Sequence, residues 1–149
     1  MTIEPNADDW KDLLQQSRAE REALTDSASY GSFFQDFRPK LCLLAEQVRI
    51  YYVNVLITSD DGDEDRCITP EEKKCLVLAT RNALRFGISC LSVEHEETRK
   101  LIQMELVGGA CRIHEYLCRV LAQNRADSKT RLFAARLLCN LVTKNTEAS

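Results

Sequence analysis

The sequence predicts an all-α protein, on three observations. Apolar residues recur at intervals of three and four along most of its 149 residues, while the alternation of a half-buried strand is almost absent. Helix punctuation is present at both ends of candidate elements: Thr69-Pro70-Glu71-Glu72 reads as a start, Gly108-Gly109 as a stop. The composition, 44% hydrophobic and 29% charged, is that of one ordinary soluble domain. A chain this long buries roughly 70% of its unfolded surface and needs no disulfide or metal staple.

The first helix opens at Asn6 or Asp8 and places Trp10, Leu13, Leu14 and Leu24 along one stripe. Asp8, Asp9 and Asp12 suit its positive end. A break is expected over Ser27–Ser32, around Gly31, with a new helix starting near Pro39 in the first-turn position where proline is tolerated. That helix carries Leu41, Leu44, Ala45, Val48, Tyr52 and Val55 on one face. Asp60–Asp65 holds five carboxylates in six residues, which repel one another and require a solvated loop.

Thr69 then caps a helix that begins at Pro70, with Glu72 completing a capping box, and runs to about Leu91. It is apolar nearly all round, sparing Lys74, Arg81 and Arg85, so it is expected between neighbours. Three further helices follow, at about Glu94–Val107, Ala110–Ala122 and Ser128–Lys144, joined by loops short enough to make them neighbours. Residues 1–69 are thus expected to form a helical cap with an acidic loop, and 70–149 a set of helical repeats.

Charge and cysteine content exclude several classes. The net charge of −3 gives no general attraction to phosphate backbones or anionic membranes, so nucleic acid is not the expected partner. The charge is uneven, however. Residues 1–74 carry 16 acids and 9 bases, residues 75–149 carry 7 and 11, which leaves room for a basic patch facing a partner. Seven cysteines, an odd number set mostly in apolar segments, read as reduced thiols of a cytoplasmic or nuclear protein. The N-terminus has neither the basic nor the apolar region of a secretory signal. Ile50–Ile57 is far shorter than the roughly 20 apolar residues that cross a bilayer, so no membrane insertion is expected.

Three constellations suggest chemistry. Asp61 to Glu72 matches a calcium-binding EF-hand loop at its first, third, fifth, eighth and twelfth positions, but Arg66 stands where the sharp turn needs glycine. A solvated loop followed by a helix cap explains the same residues. Cys111-x2-His114-x3-Cys118 offers three zinc ligands on one helix, with Cys90 or Cys139 as a fourth. Zinc ligands usually come from hairpins, and a core-facing cysteine stripe is the simpler reading. Only His95 and His114 could titrate near neutrality, and no phosphate-cradling glycine loop, nucleophile elbow or zinc-protease motif is present. The expectation is a protein with no catalytic residue, no metal and no cofactor.

Two buried-looking helices each carry a central asparagine. These are LATRNALRFGI (Leu78–Ile88) with Asn82 and RLLCNLVTKN (Arg136–Asn145) with Asn140, 58 residues apart. CNLVTKNTE (Cys139–Glu147), RNAL (Arg81–Leu84) and EETRKLI (Glu96–Ile102) together resemble the armadillo-repeat family, and within it the N-terminal armadillo-like region of the ataxin-10 branch, over roughly residues 70–149. The resemblance implies an armadillo/HEAT-like right-handed helical solenoid fragment, acting as a protein-binding scaffold through a helical groove. It points to Asn82 and Asn140 as groove residues, with Arg81, Arg85 and Arg136 beside them as anchors for acidic partners.

An asparagine amide offers a donor and an acceptor together, which matches one peptide unit of an extended partner. Bonding a neighbouring loop or helix terminus would use the same groups. The apolar last helix lacks the polar outer face of a solenoid end, so either further repeats follow or the chain self-associates through that helix. Two other functions fit the same helices: an armadillo-type exchange factor or chaperone for G-protein α subunits, and a helical switch regulated by calcium or zinc.

Overall fold

The computed structural model describes residues 7–56, 70–108, 111–123 and 126–148, and of these the side chains of Ala7, Ser27 and residues 143–148 are left aside. The described residues form six α-helices and no strand. The acidic loop, the Thr69 cap and most of the EF-hand match lie outside them, as does Cys67.

Helix α1 (Ala7–Glu22) has Asp8 and Asp9 in its first turn and Arg21 in its last, as the helix dipole favours. Trp10, Leu14 and Ser17, spaced by four and three, are its buried stripe. Helix α2 (Ser27–Tyr51) differs from expectation, because the break falls at Ala23–Asp26 and the helix runs unbroken through Gly31 and Pro39. Asp26 is the cap. Its carboxylate accepts from the Ser29 N–H at 2.9 Å, while the Ser29 hydroxyl accepts from the Asp26 N–H at 3.1 Å. Glycine and proline inside a helix cost about 1 and 3 kcal/mol. Burial of Phe33, Phe34, Phe37, Leu41 and Leu44 on the continuous helix, at about 1.5–3 kcal/mol each, outweighs both. A π-helical turn, Tyr52–Leu56, closes the segment, with the Asn54 amide donating to the Ile50 carbonyl at 2.9 Å.

Helix α3 (Pro70–Leu91) is central from Ala79 onward, where it packs between neighbours as expected, whereas residues 70–75 and Leu78 are exposed, so Cys75 and Leu78 are not enclosed as the apolar pattern suggested. Ala79, Ala83, Leu84, Phe86, Gly87 and Cys90 are buried. Gly87 allows the closest approach, since a Cβ there would lie 2.7 Å from Leu44 Cδ2 and 3.3 Å from Leu137 Cδ1. Helix α4 (Glu96–Val107) is capped by His95, whose Nδ1 accepts from the Thr98 N–H and whose ring stacks on Tyr30 at 4.6 Å. Helix α5 (Ile113–Ala122) starts three residues later than expected, after Arg112 in the left-handed region at φ 46°. Helix α6 (Ser128–Ala148) is capped by Asp127, whose carboxylate accepts from the Thr130 N–H at 3.0 Å.

Residue pairings give the layers. Trp10 lies against Phe86 and Ser17 against Ser89, so α1 and α3 run in the same direction. Arg81 pairs with Asp127, Arg85 lies over Phe133, and Gly87 meets Leu137, so α6 runs parallel to α3 on another side. The three helices form one layer with α3 in the middle. Helix α2 lies beneath, antiparallel to α3, with Leu44 at Gly87 and Gln47 bonded to Thr80. Helix α4 follows α2 in the same direction, through Tyr30–His95 and Arg38–Glu105. The sequence division expected at residue 69 falls between helices that share one hydrophobic core. No helix of the described residues is long and apolar enough to cross a membrane.

Candidate functional site

The layer α1–α3–α6 carries a cleft of about 260 Å³ whose rim is arginine. Helix α1 contributes the exposed Arg18 and the half-buried Arg21, the latter four residues after Ser17 on the same stripe as Trp10 and Leu14. Helix α3 contributes Arg85 and Ser89, the turn just after it Ser92, and α6 contributes Phe133 and Arg136. No carboxylate lines the cleft, and none of the four arginines has a carboxylate partner among the described residues.

Two of the four guanidinium groups are held in place. Arg21 Nη1 donates to the Ser89 carbonyl at 2.6 Å and to its hydroxyl at 2.7 Å, and that hydroxyl also meets the Ser17 hydroxyl at 2.8 Å. Arg85 sits over the Phe133 ring, 5.7 Å from its centroid. Arg18 and Arg136 reach the cleft from the rim. Four like charges around one cleft repel each other unless an anion lies among them, and arginine forks match carboxylate or phosphate oxygens two at a time.

The residues expected to bind a partner separate into two groups. Arg85 and Arg136 line the cleft. Arg81 belongs to the architecture: its Nη2 lies 2.7 Å from Asp127 and its Nε 3.3 Å from the Thr130 hydroxyl, so it ties α3 to the start of α6. Asn82 is 8% exposed and engaged within the chain. Asn140 is half-buried, and its backbone carbonyl accepts from Gln103 at 2.9 Å. Neither asparagine lines the cleft. Sequence reasoning missed Arg18, Arg21 and Ser89, although Arg21 follows Ser17 by four residues on the Trp10–Leu14 stripe that faces α3. Lys74 is exposed at the far end of α3 and is not part of the site.

Burial raises the Asp127 carboxyl, but the Thr130 hydroxyl and N–H and the Arg81 guanidinium outweigh it and hold it below its ordinary value of 3.8. A group lowered on folding adds stability above its unfolded value and loses it as pH falls through the folded one. Both side chains are about a third exposed, so the charge is worth about 1 kcal/mol. Asp127→Asn keeps a capping oxygen and loses the charge. It should therefore be about 1 kcal/mol less stable than the wild type at pH 7 and equal to it near pH 2, measured by urea denaturation at both.

No known protein family, curated protein or solved structure matches the chain. The core-facing cysteine stripe preferred for Cys111 and Cys118 holds for Cys111 alone, and the alternative zinc trio with His114 is not what Cys111 faces. Cys118 is exposed, while Cys111 is buried and faces Cys42 and Glu105 instead. Although Cys42 is exposed as a residue, its sulfur is partly desolvated against these neighbours, and that desolvation, reinforced by the Glu105 carboxylate and the Cys111 thiol, pushes the Cys42 thiol up to about 12.

Proposed function

We propose that the chain is a non-catalytic protein-interaction scaffold of the armadillo type, similar to the N-terminal region of ataxin-10, that grips an acidic segment of a partner protein across the α1–α3–α6 face. The observation that carries this reading is the cleft of four arginines without a carboxylate among them. Three parallel helices side by side over a second layer are the arrangement in which an armadillo groove is built, which supports the same reading. Exposed Leu132 and Val142 on α6 support the accompanying expectation of self-association through that helix.

Fluorescence anisotropy with a labelled hexaglutamate peptide and its glutamine counterpart tests the proposal. The acidic peptide should bind, the neutral one should not, and affinity should fall as salt screens the charges. At a hundred times its dissociation constant the acidic peptide should stabilise the fold by about 2.7 kcal/mol. Equal binding of the two peptides, or tighter binding of an oligonucleotide of the same charge, would overturn it.

A further inference from the structure

We propose that Cys42, Glu105 and Cys111 form a binding site for a thiophilic divalent cation of the zinc class, in the α2–α4–α5 part of the molecule. The two sulfurs and a carboxylate oxygen all lie within 4.8 Å of one another. They come from three different places in the chain: the middle of α2, the last turn of α4 and the residue before Arg112. A tetrahedral zinc ion, with Zn–S near 2.3 Å, sets two thiolates about 3.8 Å apart, so side-chain rotation of less than about 1 Å closes the set.

The carboxylate is already oriented for the role. Arg38 Nε holds Glu105 Oε1 at 3.1 Å, and Oε2 faces the Cys42 sulfur at 3.2 Å. An outer hydrogen bond of this kind fixes the direction of a ligand oxygen. Cys111 is held inward by the turn that bonds its N–H to the Gly108 carbonyl at 3.1 Å, next to the strained Arg112. Cys42 is exposed, which gives the ion a way in and leaves a fourth position for water or a ligand from a partner. Binding replaces the thiol protons and joins the α4–α5 connection to α2, so the ion would stiffen the layer opposite the arginine cleft.

Cobalt(II) titration of the reduced, metal-free chain tests the site. One equivalent should produce thiolate-to-cobalt charge transfer and the visible bands of a four-coordinate ion, and zinc should abolish both. A variant with Cys67, Cys75, Cys118 and Cys139 all changed to serine should keep these bands. Cys42→Ser, at an exposed position where folding is not at stake, should lose at least half of the charge-transfer intensity. Arg38→Ala should weaken cobalt binding roughly tenfold or more without changing the bands. Zinc should raise the melting temperature of the wild type and not of Cys42→Ser. Bands of wild-type strength in Cys42→Ser, or their loss in the four-serine variant while it keeps its helical circular dichroism, would overturn the assignment.

Discussion

Reversing two charges, Arg85→Glu with Arg136→Glu, should weaken binding of the hexaglutamate peptide about a thousandfold. Each arginine can form hydrogen bonds to a carboxylate worth about 1.5–3 kcal/mol, so losing two contacts removes about 4 kcal/mol before any repulsion is added. The same variant should be at least as stable as the wild type, because the four guanidinium groups around the cleft, which have no carboxylate partner among the described residues, repel one another and the reversal relieves them. This combination separates the site from a folding defect. Lys129→Glu changes an exposed residue on α6 that does not line the cleft, and it should alter affinity far less. A double reversal that binds like the wild type would remove the arginines from the interface.

Helix content was readable because local chemistry decides it. Pro70 with two glutamates opens α3, and Gly108 follows the last residue of α4, where the sequence signals put them. The α2 boundary was misplaced because Gly31 and Pro39 are local breakers, while the burial that overrides them comes from α3 and α4, far away in sequence. The cleft was half legible. Arg85 and Arg136 stand out on helices that are otherwise apolar, whereas Arg18 sits among other exposed charges of α1, and Arg21, at the end of the Trp10–Leu14–Ser17 stripe, gains meaning from the packing of that stripe along α3. The thiol cluster shows the same limit in reverse. Spacing along one helix suggested Cys111 with His114 and Cys118, but the partners that reach Cys111 lie on α2 and at the end of α4, and no local pattern records that crossing.

The largest stability effect should come from Phe86→Ala. This ring is fully buried on α3, 5.8 Å from Trp10 of α1 and 5.6 Å from Phe37 of α2, so three helices meet on it. Removing a buried phenylalanine costs about 3–5 kcal/mol, a large share of the 5–15 kcal/mol by which a domain is stable. For a chain of this size the melting temperature should fall by roughly 6–20 °C. Leu78→Ala on the same helix, where the side chain is about half exposed, should cost about 0.5 kcal/mol or less. The two variants therefore measure how α3 is seated, and equal small losses would mean that α1 and α2 do not close over Phe86. The consequence reaches the cleft, since the Trp10–Phe86 contact and the Arg21–Ser89 bonds hold the same pair of helices. Loosening the first should weaken peptide binding even at temperatures where Phe86→Ala is still folded, because Arg18 and Arg21 then no longer stand opposite Arg85 and Arg136.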